Sequence, residues 1–329
     1  MIKWHVNQWN SLMERKATLP HALLVRGRAG IGKADFSIEL SRALLCAAPN
    51  NSGACNSCPS CVWFKEGNHP DFRLISPENE DENNDLPKKK TSKKTQISVA
   101  QIRQLNDYLS LSSHQVAGKR IILISPADAL NLASANALLK MLEEPPANTL
   151  FILVTSQPQR LLPTIMSRCQ ALELPMPTHH EALDWLKAQG VQQAELALDY
   201  AGGAPLLALE MADQLTNNVA IHQQLALGAR LNPFTSAPLF LSMGMERAVE
   251  TLQKWVFDLL NCVLTQQLRY HTAQASTLQV LCKSVNLSLL LRFEQTLLEA
   301  KKTANHPLSN EMQLENILLN YTHIFKLIR

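Results

Sequence analysis

The chain has 329 residues, 46% of them apolar, and sets 31 Lys and Arg against 28 Asp and Glu for a formal charge of +3. That length suits two or three domains. The charge excludes a dedicated electrostatic nucleic-acid binder but allows contact with DNA inside a larger assembly. The longest apolar runs, such as Leu150 to Val154, are strand-sized, so no membrane span is expected. Met1 to His5 leads into no apolar leader, which points to a cytoplasmic protein.

Ala22 to Val25 reads as a short buried strand that ends at Gly27. Gly27-Arg28-Ala29-Gly30-Ile31-Gly32-Lys33-Ala34 follows and nearly matches a phosphate-binding loop. Such a loop needs glycines so that backbone amides approach the phosphates, a Lys for the terminal oxygens and a Ser or Thr for magnesium. Gly27, Gly30, Gly32 and Lys33 fit; Ala34 cannot ligate a metal. Asp35 to Leu45 has helical spacing, with Phe36, Leu40, Ala43 and Leu44 on one side.

Cys46, Cys55, Cys58 and Cys61 come next, spaced C-x8-C-x2-C-x2-C. Asn56, Ser57, Pro59 and Ser60 favour tight turns that bring the sulfurs together. Four thiolates suit a structural zinc ion and leave no open position for a catalytic water. A disulfide cluster is the alternative, and a cytosolic chain favours metal. His69 is the other nearby candidate ligand, although His69-Pro70-Asp71 reads as the start of the next strand, Asp71 to Ile75. Cys169, Cys262 and Cys282 are scattered among apolar neighbours, as reduced buried thiols are.

Residues 78–95 carry an acidic block and then a basic one with almost nothing apolar, the composition of a mobile loop. Ser98-Val99-Ala100-Gln101 is a capping box that opens a helix carrying Ile102, Leu105 and Leu109. Arg120 to Ile124 is a third strand, Ala133 to Leu142 a helix, and Leu150 to Thr155 a fourth strand. Continuous apolar strands alternating with helices predict a parallel sheet covered on both faces. The acids that orient water should follow the third strand, but Ser125 and Pro126 stand there, and Asp128 reads as a helix cap. The site thus has the scaffold of nucleotide binding without the groups for hydrolysis. Beyond residue 176 only helices are expected: Glu181 to Gln189, Ala194 to Ala201, Pro205 to Ala212, Arg247 to Gln267 and Ser288 to Lys302.

Asn136-Ala137-Leu138-Leu139-Lys140-Met141-Leu142-Glu143-Glu144-Pro145-Pro146 resembles a stretch of the bacterial DNA polymerase III clamp-loader ATPases. So does Thr155 to Cys169, which ends in the Ser167-Arg168-Cys169 triplet. The resemblance is specific from about residue 20 to 176. It implies an AAA+ module: a RecA-like domain over 1–176 with a zinc insertion at 46–61, a helical lid over 177–212 and a helical collar over 213–329. It makes Arg168 an arginine finger offered in trans to a neighbour's ATP and puts Thr155 at the sensor-1 position. Leu206 stands where a sensor-2 arginine is expected. With Ala34, Ser125, Pro126 and Leu206, the chain resembles the family's non-hydrolysing branch, with ATP binding weak or absent. The alternative is an active gamma/tau-like motor. The resemblance also implies partners: gamma/tau and delta subunits in a hetero-pentameric ring, the sliding clamp and primed DNA, within a replicative nucleotidyltransferase assembly. The chain stops at Arg329, where the collar ends, whereas a motor subunit could carry a C-terminal extension. The helix opened by Ser98, with Arg103 near its start, is the candidate DNA contact.

Overall fold

The computed structural model describes residues 3–50, 53–77, 96–110, 119–303 and 310–325. The charged segment at 78–95 lies outside them. The chain divides into two compact units, Met1–Pro177 and Thr178–Arg329.

The first unit is built on five parallel strands: β1 (Ala22–Arg26), β2 (Phe72–Ile75), β3 (Arg120–Ile124), β4 (Thr149–Thr155) and β5 (Gln170–Glu173). Their spatial order is β2-β3-β4-β1-β5. β5 was not expected. It has only four residues, three of them exposed, and therefore no apolar run. Its register is set by β1, where Leu23 faces Gln170 and Arg26 faces Glu173. Among the described residues six α-helices belong to this unit, α1 (Val6–Glu14), α2 (Lys33–Leu45), α3 (Pro59–Lys65), α4 (Val99–Ser110), α5 (Leu132–Glu143) and α6 (Pro163–Arg168), and α7 (His179–Ala188) opens the second unit.

Successive strand side chains point to opposite faces, and here both faces are covered. Leu24, Ile122, Ile124, Phe151 and Leu153 pack with Ile102 and Leu105 of α4, Leu138 of α5 and Ile165 of α6. Their strand neighbours Leu23, Val25, Ile121, Leu123 and Ile152 pack on the other side with Trp9 of α1 and Phe36 and Leu40 of α2. This double burial explains why β1, β3 and β4 carry continuous apolar runs rather than alternating ones. The Ser98 capping box is present: the Gln101 amide donates to Ser98 Oγ at 3.3 Å, and the Ser98 amide donates to Gln101 Oε1 at 2.9 Å.

The second unit is helical: α7, α8 (Ala194–Tyr200), α9 (Pro205–Ala226), α10 (Pro233–Leu241), α11 (Met245–Thr265), α12 (Ala275–Cys282), α13 (Leu287–Thr303) and α14 (Asn310–His323). The domain boundary expected after Ala212 falls inside α9, which runs unbroken to Ala226 because no Gly or Pro interrupts it after Pro205. Trp255, Leu252 and Leu259 of α11 lie at the centre of this unit's main core. There the Trp255 Nε1–H donates to Tyr321 Oη at 2.9 Å, and Tyr321 in turn donates to the Leu225 carbonyl at 2.7 Å. Ala182, Leu186, Ala197, Leu198 and Ala208 form a smaller core joining α7, α8 and the start of α9.

Candidate nucleotide-loop and cysteine sites

The glycine loop connects β1 to α2 at the carboxyl edge of the sheet. Gly27 passes so close to the Leu174 carbonyl that a Cβ there would sit 2.6 Å from its oxygen. Gly32, at φ 89°, turns the chain into α2 through a left-handed conformation that suits a glycine. Lys33 then opens the helix, only 5% exposed.

Lys33 does not reach into an open cradle. Its Nζ donates to the Arg28 carbonyl at 2.5 Å and to Ser156 Oγ at 2.8 Å. Burial pulls its pKa down to about 8, with the nearby Asp128 carboxylate acting in the opposite direction. The loop is also braced from the N-terminus. Trp4 Nε1 and His5 Nε2 both meet the Ile31 carbonyl, at 3.0 and 2.9 Å. His5 is fully buried and meets the Phe36 ring edge-on at 5.8 Å. Burial is the main cause that lowers the His5 pKa, so the ring is neutral and donates its Nε2–H to Ile31. Residues 4 and 5 carried no motif in the sequence. Two aromatic side chains just before a helical stretch were the available signal.

Asp128 is not a helix cap. Its Oδ1 accepts the Thr155 hydroxyl at 2.6 Å and the Ser156 amide at 3.3 Å. The capping role belongs to Asn131, which accepts the Ser134 amide at 2.9 Å and opens α5. The distinction is tertiary: β3 and β4 are neighbours, so the turn after β3 faces the end of β4. Thr155 is fully buried, and its Oγ1 also accepts the Gln157 amide at 3.0 Å. Gly27, Gly30, Gly32, Lys33 and Thr155 thus gather at one sheet edge, together with Ser156 and Asp128, which the sequence reading left out of the site.

Arg168 stands elsewhere, as the last residue of α6. Its Nη2 pairs with Glu143 Oε1 at 2.6 Å, and its Nη1 donates to the Thr164 carbonyl at 3.1 Å. The side chain is 35% exposed, and Glu143 at the end of α5 is 49% exposed, so the pair lies at the surface of its unit.

Cys46, Cys55, Cys58 and Cys61 converge, with all four sulfurs within 4.8 Å of one another. Cys46 and Cys58 are 3.9 Å apart, and Cys55 and Cys61 are 4.0 Å apart. A tetrahedron of Zn–S bonds of ~2.3 Å has an edge of about 3.8 Å, so the donor set fits. Cys46 caps the C-terminal end of α2, and Cys58 precedes α3 with Pro59 at its first position. Between them Asn56 takes a left-handed φ of 63°. Backbone amides of Ser57 and Cys58, with the Ser57 hydroxyl, bring the Cys55 thiol down to about 5, whereas burial pushes Cys61 up to about 12. A cation among them favours the thiolate form of all four.

His69 is not part of the cluster. Its Nδ1 accepts the Asp71 amide at 3.1 Å, which leaves the proton on Nε2 to donate to Ser60 Oγ at 2.8 Å. Ser60 passes the bond on to the Leu45 carbonyl at 2.7 Å. His69 therefore ties α3 to the end of α2 and holds Cys46 and Cys61 in place without touching a metal.

No described helix is long and apolar enough to cross a membrane. A family model described as DNA polymerase III, delta subunit matches residues 4–178. A DNA polymerase III subunit delta' from Pseudomonas aeruginosa is 34% identical over 250 residues, covering 72% of each chain. The Escherichia coli protein of that name is 32% identical over 262 residues, covering 78% of this chain and 72% of its own. Among solved structures, a DNA polymerase III gamma subunit-related protein from Thermotoga maritima superposes with a TM-score of 0.52 at 17% identity, over 96% of this chain and 99% of that one.

Proposed function

The chain belongs to the DNA polymerase III delta-prime family, and we propose that it works in the clamp loader as a subunit that hydrolyses no ATP itself but assists a neighbour's hydrolysis. The observation that carries this reading is the set of residues at the loop's metal and water positions, beside which Lys33 is held by the Arg28 carbonyl and Ser156. Ala34 offers no ligand to magnesium, and neither Ser125 nor Pro126 offers a carboxylate to orient water. Asp128 is the nearby acid, and it is already engaged by Thr155 and Ser156. A gamma/tau-like motor would need a hydroxyl at 34 and an acid at 125 or 126.

Arg168 is the group we assign to the neighbour. Its planar, permanently charged fork suits phosphate oxygens, and its place at the end of a short surface helix lets it reach across an interface. Residues 177–212 act as the lid and 213–329 as the collar, joined by the continuous α9. Leu287, Leu291 and Leu298 lie partly or largely exposed along α13, an apolar stripe suited to packing against the gamma/tau and delta subunits in a ring. Arg103 and Lys140 line a groove of about 450 Å³ between α4 and α5, which supports contact with the primed DNA on which the sliding clamp is loaded. The ion in the cysteine cluster is a single structural zinc.

The test is reconstitution with the cognate gamma/tau and delta subunits, clamp and primed DNA. Arg168→Ala should leave assembly intact by gel filtration yet slow clamp- and DNA-stimulated ATP hydrolysis. The loss should be partial, because other sites keep their own fingers, and Arg168→Lys should rescue it poorly. Equal rates for all three proteins would assign Arg168 to the surface instead. The isolated chain should show no hydrolysis that Lys33→Ala abolishes; a rate that depends on Lys33 would overturn the non-hydrolysing assignment.

A further inference from the structure

Cys262 and Cys282 are twenty residues apart in sequence, yet their sulfurs lie 3.0 Å from each other. This is closer than the 3.9 and 4.0 Å separations within the metal-type cluster. The sulfurs need to close by only about 1 Å to reach the bonded separation of ~2.05 Å. Cys262 is fully buried on α11, and Cys282 is half-buried at the end of α12. No other cysteine or histidine joins them in a metal-type group among the described residues, and two sulfurs do not make a structural metal site. From the geometry we propose that Cys262 and Cys282 form a redox-active dithiol that peroxide converts into an intramolecular disulfide, fastening α12 to α11.

The chemistry balances with hydrogen peroxide as the named oxidant. The more accessible Cys282 sulfur attacks the peroxide; the O–O bond breaks, a sulfenic acid forms and one water leaves. The Cys262 sulfur then bonds to the Cys282 sulfur. The S–OH bond breaks, and hydroxide departs with the Cys262 proton as a second water. Two thiols are oxidised and one peroxide is reduced. Burial and the adjacent Cys282 hold Cys262 up at about 12, so the first step falls to Cys282 and Cys262 is the resolving thiol. The new bond closes a loop around the turn between the two helices and restricts the unfolded chain there. A thiol reductant breaks it again.

The full-length, zinc-loaded protein provides the test. It is treated with hydrogen peroxide, its remaining thiols are blocked with N-ethylmaleimide, and it is digested with trypsin without reductant. Cleavage after Lys254, Arg269 and Lys283 places Cys262 on residues 255–269 and Cys282 on residues 270–283, apart from the cluster cysteines. The expected product is these two peptides joined, two hydrogens lighter than their sum, lost on reduction with dithiothreitol and absent from Cys282→Ser. Recovery of Cys282 as a sulfinic acid with Cys262 still a free thiol would overturn the proposal. So would joining of either residue to a cluster cysteine instead. The wild-type digest decides the matter alone, so the result does not depend on a variant that folds.

Discussion

At the residue scale, Lys33 shows how a motif side chain can be present and yet differently employed. A phosphate-loop lysine reaches for the terminal phosphates; here it is 5% exposed and hydrogen-bonded to the Arg28 carbonyl and Ser156. Its folded pKa of about 8 lies below the ordinary 10.5 because burial disfavours the ammonium. Between those two values the unfolded chain binds more protons than the folded one, so stability rises with pH across that window. Below pH 8 both states are protonated and the cost is fully present. We therefore predict that the stability difference between wild type and Lys33→Met changes by about 1–3 kcal/mol in favour of wild type from pH 8 to 10.5. Urea unfolding at a series of pH values measures it; a flat difference would mean that the ammonium is well solvated. Arg168 makes the complementary point. The triplet that singled it out was visible in the sequence, but its pairing with Glu143 was not, because the two residues are 25 positions apart and meet only where α5 and α6 end.

At the element scale, the cysteine module is a short insertion fixed by few apolar contacts. Among the described residues its buried cluster comprises Cys46, Ala54 and Cys61, with Cys55 and Cys58 packed against it. So small a core cannot offset the ordering of some sixteen residues on its own, and metal binding is the available source of folding energy. Cys58→Ser should abolish stoichiometric zinc and expose the 46–61 module to protease, while the parallel sheet, which has its own two-sided core, retains its far-UV signature. Elemental analysis and limited proteolysis check this; wild-type protein that contains no zinc under reducing, metal-replete conditions would refute the structural-zinc reading. Elements with strong periodicity or a capping box were legible from sequence. β5 was not, since its position is set by pairing with β1 rather than by its own residues. A second capping box opens α7, where Thr178 Oγ1 accepts the Glu181 amide at 3.3 Å across a Thr-x-x-Glu spacing.

At the scale of the whole molecule, the two units have separate hydrophobic cores, and we predict that residues 1–177 and 178–329 each fold when produced alone. Cooperative thermal unfolding of each piece is the measurement; a first piece that melts without a transition would show that its sheet depends on the helical unit. The sequence by itself determined the parallel sheet, the helical second half, the glycine loop without its metal ligand, the four-cysteine cluster and the resemblance to clamp-loader subunits. Each of these is written in local spacing or composition: apolar runs, glycine positions, cysteine intervals and contiguous motifs. Only the tertiary structure decided that Asp128 serves Thr155 rather than a helix, that Trp4 and His5 brace the Ile31 carbonyl, that His69 stands behind the cysteine cluster rather than in it, and that Cys262 meets Cys282. The physical reason is common to all four. A hydrogen bond or sulfur contact depends on an approach of a few ångströms between side chains, and chain connectivity does not specify that approach until strands have paired and helices have packed.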